Sequence, residues 1–242
     1  MNAPLNRSSG RILRQSFENR LSHWLVAIST FVLIFTGFGQ MPMYARYGIA
    51  ALPGMAWAAD YQLTLLLHYT AGAVLVFAVV FHVLGAIVTS RYDIMPRKGD
   101  VKESAQIIAA MFGRGEEPPS HKYLAEQRLA YAFIGANVLL VVISGIIKVV
   151  KNLPGIDMNP TFLFITTAVH NAAAVFIILG VVGHLAAFVF KANRALLPAM
   201  IDGTVDREYA KHRHPLWYRE LHPEPVATDG TLLDDDPLER SA

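Results

Sequence analysis

The chain has 242 residues, of which 53% are hydrophobic and 17% are charged, and its formal net charge is +2. This composition and a mean hydropathy of +0.35 exclude an ordinary soluble domain. The absence of cysteine excludes disulfides, thiolate-held iron–sulfur clusters and covalently attached c-type haem. The weak net charge and its distribution give no nucleic-acid signature.

Four apolar stretches reach the roughly 20 residues that a membrane-spanning helix needs. They lie at 21–39, 63–89, 129–147 and 161–190. The runs are continuous and lack the alternation of a β-barrel, so helices are the only structure that satisfies their backbone in lipid. The sequence predicts an all-α membrane protein, with a four-transmembrane-helix bundle at 21–198 between an N-terminal segment at 1–20 and a C-terminal tail at 199–242.

Lysine and arginine concentrate before the first helix, between the second and third helices, and after the fourth. The two remaining loops carry only Arg46, Lys148 and Lys151. Because basic residues stay on the cytoplasmic side, both termini are predicted to be cytoplasmic. The expected location is the bacterial inner membrane, which the chain would cross several times.

Two segments outside the helices suit a membrane surface. The stretch "DVKESAQIIAAMFGRG" at 100–115 places apolar residues near helical spacing, which predicts a helix lying on the membrane. These residues are Val101, Ala105, Ile108 and Phe112. In the tail, Trp217 and Tyr218 stand beside basic residues and suit the lipid interface. The acidic end at 229–242 is predicted to be disordered.

Five of the nine histidines fall in or at the apolar runs. They are His23, His68, His82, His170 and His184. An ionisable side chain inside a membrane costs free energy unless it has a partner, so such residues are functional candidates.

The spacing of these histidines gives them a geometry. His68 and His82 are 14 residues apart, as are His170 and His184. That separation is about 21 Å along a helix and returns to nearly the same face. Since the second and fourth helices run in the same direction, His68 and His170 share an outer depth, while His82 and His184 share an inner depth.

Neutral imidazoles from facing helices can ligate haem iron on both sides, and haem needs no cysteine. Zinc or copper sites gather three or four ligands at one depth, whereas these histidines sort into two depths. The small residues near them suit a flat macrocycle, although such residues also pack helices against each other. They are Ala71, Gly72, Ala173, Ala174, Gly180 and Gly183. At the inner depth, spacing leaves His23 and His82 as alternative partners of His184.

Local motifs carry a family resemblance over roughly residues 11–221. They are "NRLSHW" at 19–24, "LLHYTAG" at 66–72, "VHNAAAV" at 169–175, "GHLAAFVFK" at 183–191 and "AMIDGTVDREYAKHRHPLWYRE" at 199–220. Together they resemble the cytochrome b (gamma) subunit of membrane-bound formate dehydrogenase, which is related to the cytochrome b subunits of nickel–iron hydrogenases. The long polar tail motif is the most specific of the five.

The resemblance implies two haems b with histidine ligands on both sides of each iron. The outer haem would be held by His68 and His170, and the inner haem by His23 and His184. His82 is then an addition to the family pattern, either an alternative inner ligand or a contact of a quinone or a haem propionate.

The resemblance also implies an electron-transfer function without formate chemistry in this chain. An iron–sulfur (beta) subunit outside the membrane, connected to a molybdenum or tungsten catalytic (alpha) subunit, would pass electrons through the haems to menaquinone or ubiquinone. The alternative is the cytochrome b subunit of a nickel–iron hydrogenase or a sulfur-compound reductase. Rivals of other classes are a stand-alone transmembrane reductase and a haem carrier or structural anchor.

One departure from the family pattern concerns the quinone. Where the family reads K-Y-N-x-G-Q before the third helix, this chain has Leu124 at the asparagine position and Glu126 at the glycine position. Gln127, Glu126 and His82 are the candidates to replace the missing amide. The remaining histidines, at 121, 212, 214 and 222, are predicted to be surface residues.

Overall fold

The computed structural model describes residues 10–223, and almost all of its regular structure is helical. In chain order the elements are β1 (Arg11–Leu13), α1 (Phe17–Gln40), α2 (Met43–Arg46), α3 (Tyr61–Thr89), α4 (Asp100–Met111), α5 (Ala125–Val150), α6 (Pro160–Ala186), α7 (Lys191–Arg194), α8 (Leu197–Ile201), β2 (Thr204–Asp206), α9 (Arg207–Arg213) and α10 (Pro215–Leu221). Three short 3-10 turns, Ile49–Ala51, Ala56–Ala59 and Ala187–Val189, complete these elements. The acidic stretch 229–242, for which disorder was predicted, lies outside the described residues.

Helices α1, α3, α5 and α6 are each long and apolar enough to cross a membrane. The predicted four-helix membrane architecture is therefore confirmed. Both α1 and α5 begin four residues before the predicted apolar runs, at Phe17 and Ala125. In α5 a polar cap explains the earlier start, because the Gln127 side chain accepts a hydrogen bond from the Leu124 backbone N–H in the first turn of the helix.

The bundle consists of two close helix pairs, α1 with α3 and α5 with α6. In the α1–α3 pair, Gly39 allows the close approach, since a Cβ there would lie 2.9 Å from Thr64 Cγ2. In the other pair, a Cβ on Gly180 would lie 3.0 Å from Ile134. Small residues that let backbones approach are the usual means of helix association in lipid. The glycine at 180 therefore serves helix packing.

The two pairs meet in an apolar cluster at the middle of the bundle. Leu75 of α3, Val138 of α5 and Ile177 of α6 are buried there. Leu75 lies seven residues from both His68 and His82, and Ile177 lies seven residues from both membrane histidines of α6. The cluster therefore separates the two depths at which the histidines lie.

One end of the bundle carries a cap built from both ends of the described chain. Strand β1 pairs antiparallel with β2, with Arg11 opposite Asp206. Ile12, Val205 and Trp217 are buried in the same small core. The prediction that Trp217 lies at the lipid interface was wrong, because its ring packs inside this cap and is only 5% exposed.

The segment between α3 and α5 is anchored to the cap end of α5. Asp100 at the start of α4 forms a buried ion pair with Arg128, at 2.7 Å from Nη2 to Oδ1. Ile107 packs against Leu124, and both are fully buried. The residues predicted to form an apolar face, Val101, Ala105, Ile108 and Phe112, are exposed. The predicted amphipathic helix is present, with that face directed away from the bundle.

The cap buries cations among aromatic rings. The Arg14 guanidinium lies 5.2 Å from the centroid of the Trp217 ring and donates to the Lys122 carbonyl. Burial lowers the pKa of Arg14 to about 10. Burial and the nearby Arg14 charge lower the pKa of Lys122 to about 8. The N-terminal segment, the α3–α5 segment and the C-terminal segment are therefore packed together.

His214 is also part of the cap. It is fully buried, so its prediction as a surface residue was wrong. Its Nδ1 lies 2.8 Å from the His121 carbonyl oxygen, an acceptor, so Nδ1 carries the proton. Burial, followed by the charge of Arg14, lowers the pKa of His214 to about 3. The residue is therefore a neutral core histidine, whereas His212 on α9 is exposed.

Candidate cofactor sites between facing histidines

Two histidines face each other at the end of the bundle far from the termini. His68 of α3 and His170 of α6 have ring centroids 6.4 Å apart, with an angle of 57° between the ring planes. We call these residues the outer pair. Their helices do not form one of the two close helix pairs, so the histidines face each other across the bundle.

A second pair lies nearer the cap. His23 of α1 and His184 of α6 have ring centroids 6.3 Å apart, with an angle of 53° between the planes. We call these residues the inner pair. The 14-residue separation on α6 therefore produces two similar arrangements at two depths, as the sequence predicted.

The spacing within each pair fits one metal ion between two imidazoles. A metal bonded to one nitrogen of each ring at about 2 Å, the usual length for histidine, places the ring centroids roughly 6 Å apart. The observed 6.3 and 6.4 Å agree with this value. Within residues 10–223, no three histidine, aspartate or glutamate side chains gather as a metal-ion site. The donor sets are thus pairs, which suits haem iron with a histidine on each side.

The structure distinguishes the two alternatives for the inner partner of His184. His82 of α3 has its Nε2 3.0 Å from the hydroxyl of Tyr131 on α5. His23 instead faces His184 directly, and its Nδ1 is buried with no hydrogen-bond partner among the described residues. His23 is therefore the residue that faces His184, and His82 belongs to a separate polar pair with Tyr131.

Two hydroxyl groups that the sequence analysis missed contact the outer pair. Thr36 Oγ1 of α1 lies 2.8 Å from His68 Nδ1, and Ser144 Oγ of α5 lies 2.9 Å from His170 Nδ1. A hydroxyl–glycine dipeptide occurs in both helices, as Thr36-Gly37 and Ser144-Gly145. This repeat, placed near the far end of the first and third apolar runs, was the available sequence signal.

The small residues near the histidines divide into two groups. A Cβ on Gly72 or Gly183 would meet no atom within 4 Å, so neither glycine is needed for contact with another helix. Gly180, by contrast, contacts Ile134 in the α5–α6 pair. Helix packing therefore explains Gly180, while clearance for a macrocycle at Gly72 and Gly183 stays a prediction.

The residues considered for a quinone lie at the cap end of α5. Leu124, at the position of the family asparagine, is fully buried in apolar surroundings. Gln127 uses its side-chain oxygen to cap α5. Glu126 has one buried carboxylate oxygen without a hydrogen-bond partner among the described residues. Of these three residues, Glu126 is the one with an unused buried polar atom.

This fold, with two facing imidazole pairs across four membrane helices, defines a cytochrome b type of membrane protein. Comparison with known families agrees. The model of the family described as prokaryotic cytochrome b561 matches residues 14–203, and the chain belongs to this family. Membership implies a haem b cofactor and a part in electron transport.

Characterised relatives cover most of the chain at modest identity. The formate dehydrogenase cytochrome b556 subunit of Haemophilus influenzae is 25% identical over 87% of this chain and 83% of its own length. The cytochrome b556(Fdn) subunit of the nitrate-inducible formate dehydrogenase of Escherichia coli K12 is 24% identical over 88% of this chain and 93% of its own length. These relatives agree with the resemblance that the sequence motifs indicated.

Proposed function

We propose that this chain is the dihaem cytochrome b membrane-anchor subunit of a respiratory formate dehydrogenase in the bacterial inner membrane. It would pass electrons from a periplasmic iron–sulfur subunit through two haems b to membrane quinone. The observation that carries the proposal is the presence of two facing imidazole pairs at two depths of one helical bundle. The names of the relatives and their coverage of nearly the whole chain support the choice of enzyme.

In this proposal the outer pair, His68 and His170, holds one haem, and the inner pair, His23 and His184, holds the other. Haem b, when bound, supplies a one-electron iron couple. The chain supplies neutral imidazole nitrogens in a low-dielectric interior. The two pairs lie about 21 Å apart along α6, which spans most of the roughly 30 Å of membrane hydrocarbon. The arrangement therefore suits charge transfer across the membrane.

We assign the quinone to the inner end of the bundle. Reduction of a quinone consumes protons as well as electrons, so the site needs groups that can exchange them. The hydrogen-bonded His82 and Tyr131 lie at the inner depth, and the unpartnered oxygen of Glu126 lies nearby along α5. Gln127 is a weaker candidate because its side chain caps the helix. The quinone itself is menaquinone or ubiquinone.

The orientation follows from charge. The cap combines the N-terminal, α3–α5 and C-terminal segments, which hold most of the lysine and arginine of the chain, so we place it on the cytoplasmic side. The opposite end, formed by α2, the 3-10 turns before α3 and the α5–α6 loop, then faces the periplasm. This surface would meet the iron–sulfur (beta) subunit, which connects to the molybdenum or tungsten catalytic (alpha) subunit.

The decisive experiment is purification of the chain from its native membrane under conditions that preserve complexes. The proposal expects co-purification of a molybdenum- or tungsten-containing subunit and an iron–sulfur subunit, and formate-dependent quinone reduction by the complex. A His170→Ala variant should keep the dye-linked formate activity of the catalytic subunit while losing quinone reduction. Recovery with a hydrogenase large subunit, or activity of the chain as a solitary reductase, would contradict the proposal.

A further inference from the structure

We propose that Thr36 and Ser144 are positioning residues for the outer haem ligands. Each hydroxyl holds one imidazole of the outer pair in a single tautomer and rotation, with Nε2 left for the metal. The inference rests on the proposed function, because it assumes that the outer pair binds haem. It goes further because it assigns one residue of α1 and one residue of α5 to the tuning of the outer haem alone.

The first step concerns the direction of the hydrogen bonds. A hydroxyl has one proton to donate. Thr36 Oγ1 lies 2.8 Å from the Val32 carbonyl oxygen in its own helix, and Ser144 Oγ lies 2.5 Å from the Leu140 carbonyl oxygen. Carbonyl oxygens only accept, so we assign each hydroxyl proton to its backbone contact. The hydroxyl oxygen therefore faces the histidine as an acceptor.

The second step concerns the histidines. A hydroxyl that already donates to its own helix can bond His68 or His170 only by accepting from Nδ1–H. A neutral imidazole with its proton on Nδ1 has its lone pair on Nε2. That is the state an axial ligand needs, and a hydrogen bond at the other ring nitrogen is the usual way in which proteins fix it. The backbone of α1 and α5 thus sets the tautomer of both rings through one hydroxyl each.

The third step concerns the glycine that follows each hydroxyl. A Cβ on Gly37 would lie 3.7 Å from His68 Cε1, and a Cβ on Gly145 would lie 3.6 Å from His170 Cε1. A Cβ at either position would therefore make ordinary van der Waals contact with the ring, so each ring lies close to the neighbouring helix. The glycine leaves room for the ring without fixing it, so the hydroxyl is the group that sets the rotation of the ring.

The inner pair lacks this arrangement. His23 Nδ1 is buried and has no hydrogen-bond partner among the described residues. A hydrogen bond from Nδ1–H makes an imidazole more electron-rich and a more basic ligand. The outer site should therefore favour ferric iron more strongly than it would without the hydroxyls, while the inner site is not affected by them.

The test uses Thr36→Val and Ser144→Ala in the full complex, followed by haem analysis and a redox titration that resolves the two haems. We expect outer-haem affinity to fall about 10-fold or more, as is typical for loss of such a hydrogen bond. The outer potential should become more positive, and the low-spin spectrum of the outer haem should change. The inner haem should keep its potential and spectrum.

Matched controls separate positioning from simple packing. Ser29→Ala removes an equally buried hydroxyl of α1 that bonds only to its own helix backbone. Thr30→Val changes a buried threonine of the same helix. Neither control should alter the outer haem. The conservative variants Thr36→Ser and Ser144→Thr keep the acceptor oxygen, so they should retain the outer haem with its wild-type potential. This holds even if Thr36→Val loses the outer haem completely.

The outcomes also separate this inference from the proposed function. Two haems in the wild type with the outer potential and affinity unchanged in both hydroxyl variants would overturn the inference and leave the proposed function intact. An equal shift in the Ser29→Ala control would overturn it as well. A wild-type complex without low-spin haem would instead remove the proposed function on which the inference rests.

Discussion

The outer and inner histidine pairs have nearly the same separation and differ in what surrounds them. Each imidazole of the outer pair lies within hydrogen-bond distance of a hydroxyl on another helix. The inner pair has an unpartnered His23 Nδ1, with a further hydrogen-bonded pair, His82 and Tyr131, at the same depth. Equal spacing of imidazoles therefore does not make equal sites.

The different surroundings of the two pairs suit different chemical roles. A site that only transfers electrons benefits from ligands in one fixed state, because little then has to rearrange. A site beside quinone must also supply protons, and it needs polar groups that are not ligands. The outer pair fits the first description, and the inner end of the bundle fits the second. The predictions below test this contrast.

The largest expected effect comes from removing one ligand of each pair. His170→Ala should abolish the outer haem, and His184→Ala should abolish the inner haem, because each iron loses one of two axial ligands. Pyridine haemochrome assays should then report one haem per chain in place of two. Loss of both haems or of neither in a correctly inserted variant would contradict separate sites.

The next effect separates the two candidates at the inner depth. His23→Ala should remove the inner haem, whereas His82→Ala should retain both haems with unchanged low-spin spectra, because only His23 faces His184. The measurement is haem content together with the ferric low-spin spectrum. The opposite pattern would make His82 the ligand and His23 the accessory residue.

A smaller effect is expected on quinone chemistry. His82→Gln can keep a hydrogen bond with Tyr131 but cannot exchange a proton at neutral pH. We expect quinone reduction to slow by about 100-fold, the lower range for loss of a proton-transfer group. Formate-dependent haem reduction, followed optically, should stay unchanged. Unaltered quinone turnover would remove His82 from the quinone site.

The smallest effect concerns the cap and its pH dependence. The pKa of His214 is lowered to about 3 by burial, so as the pH falls below 6.5 the unfolded chain takes up a proton that the folded cap does not. This costs about 2 kcal/mol of stability at pH 5. His214→Asn keeps a donor near the His121 carbonyl and removes the titration.

The thermal unfolding midpoint, measured at pH 7 and pH 5, checks this prediction. The wild type should lose more on acidification than His214→Asn does. Equal losses in the two proteins would show that the buried histidine does not control acid stability.

Sequence reasoning predicted the membrane helices and the two histidine depths well, because both depend on simple periodic features. Continuous apolar runs require helices in lipid, and a 14-residue separation brings histidines back to one face. What it could not supply was the contact between helices. The roles of Thr36 and Ser144 depend on which helix lies beside His68 and His170, and spacing within one helix does not show this.

The cap was predicted less well for a related reason. Trp217 and His214 stand in a strongly charged tail, a composition typical of an exposed or interfacial segment. Trp217 packs with residues of β1 and β2, two strands more than 190 residues apart, and His214 bonds the His121 carbonyl, 93 residues away. Local composition carries no information about a contact over such a distance, so only the structure shows that this tail closes over the end of the bundle.

The central claim is that two imidazole pairs hold two haems at two depths. Haem and iron determination on the purified native complex, combined with low-temperature spectra of the ferric state, tests it most directly. The account predicts two non-covalent b-type haems per chain, both low-spin with two histidine ligands. A correctly assembled complex in which this chain carries no haem, or only one, would contradict it.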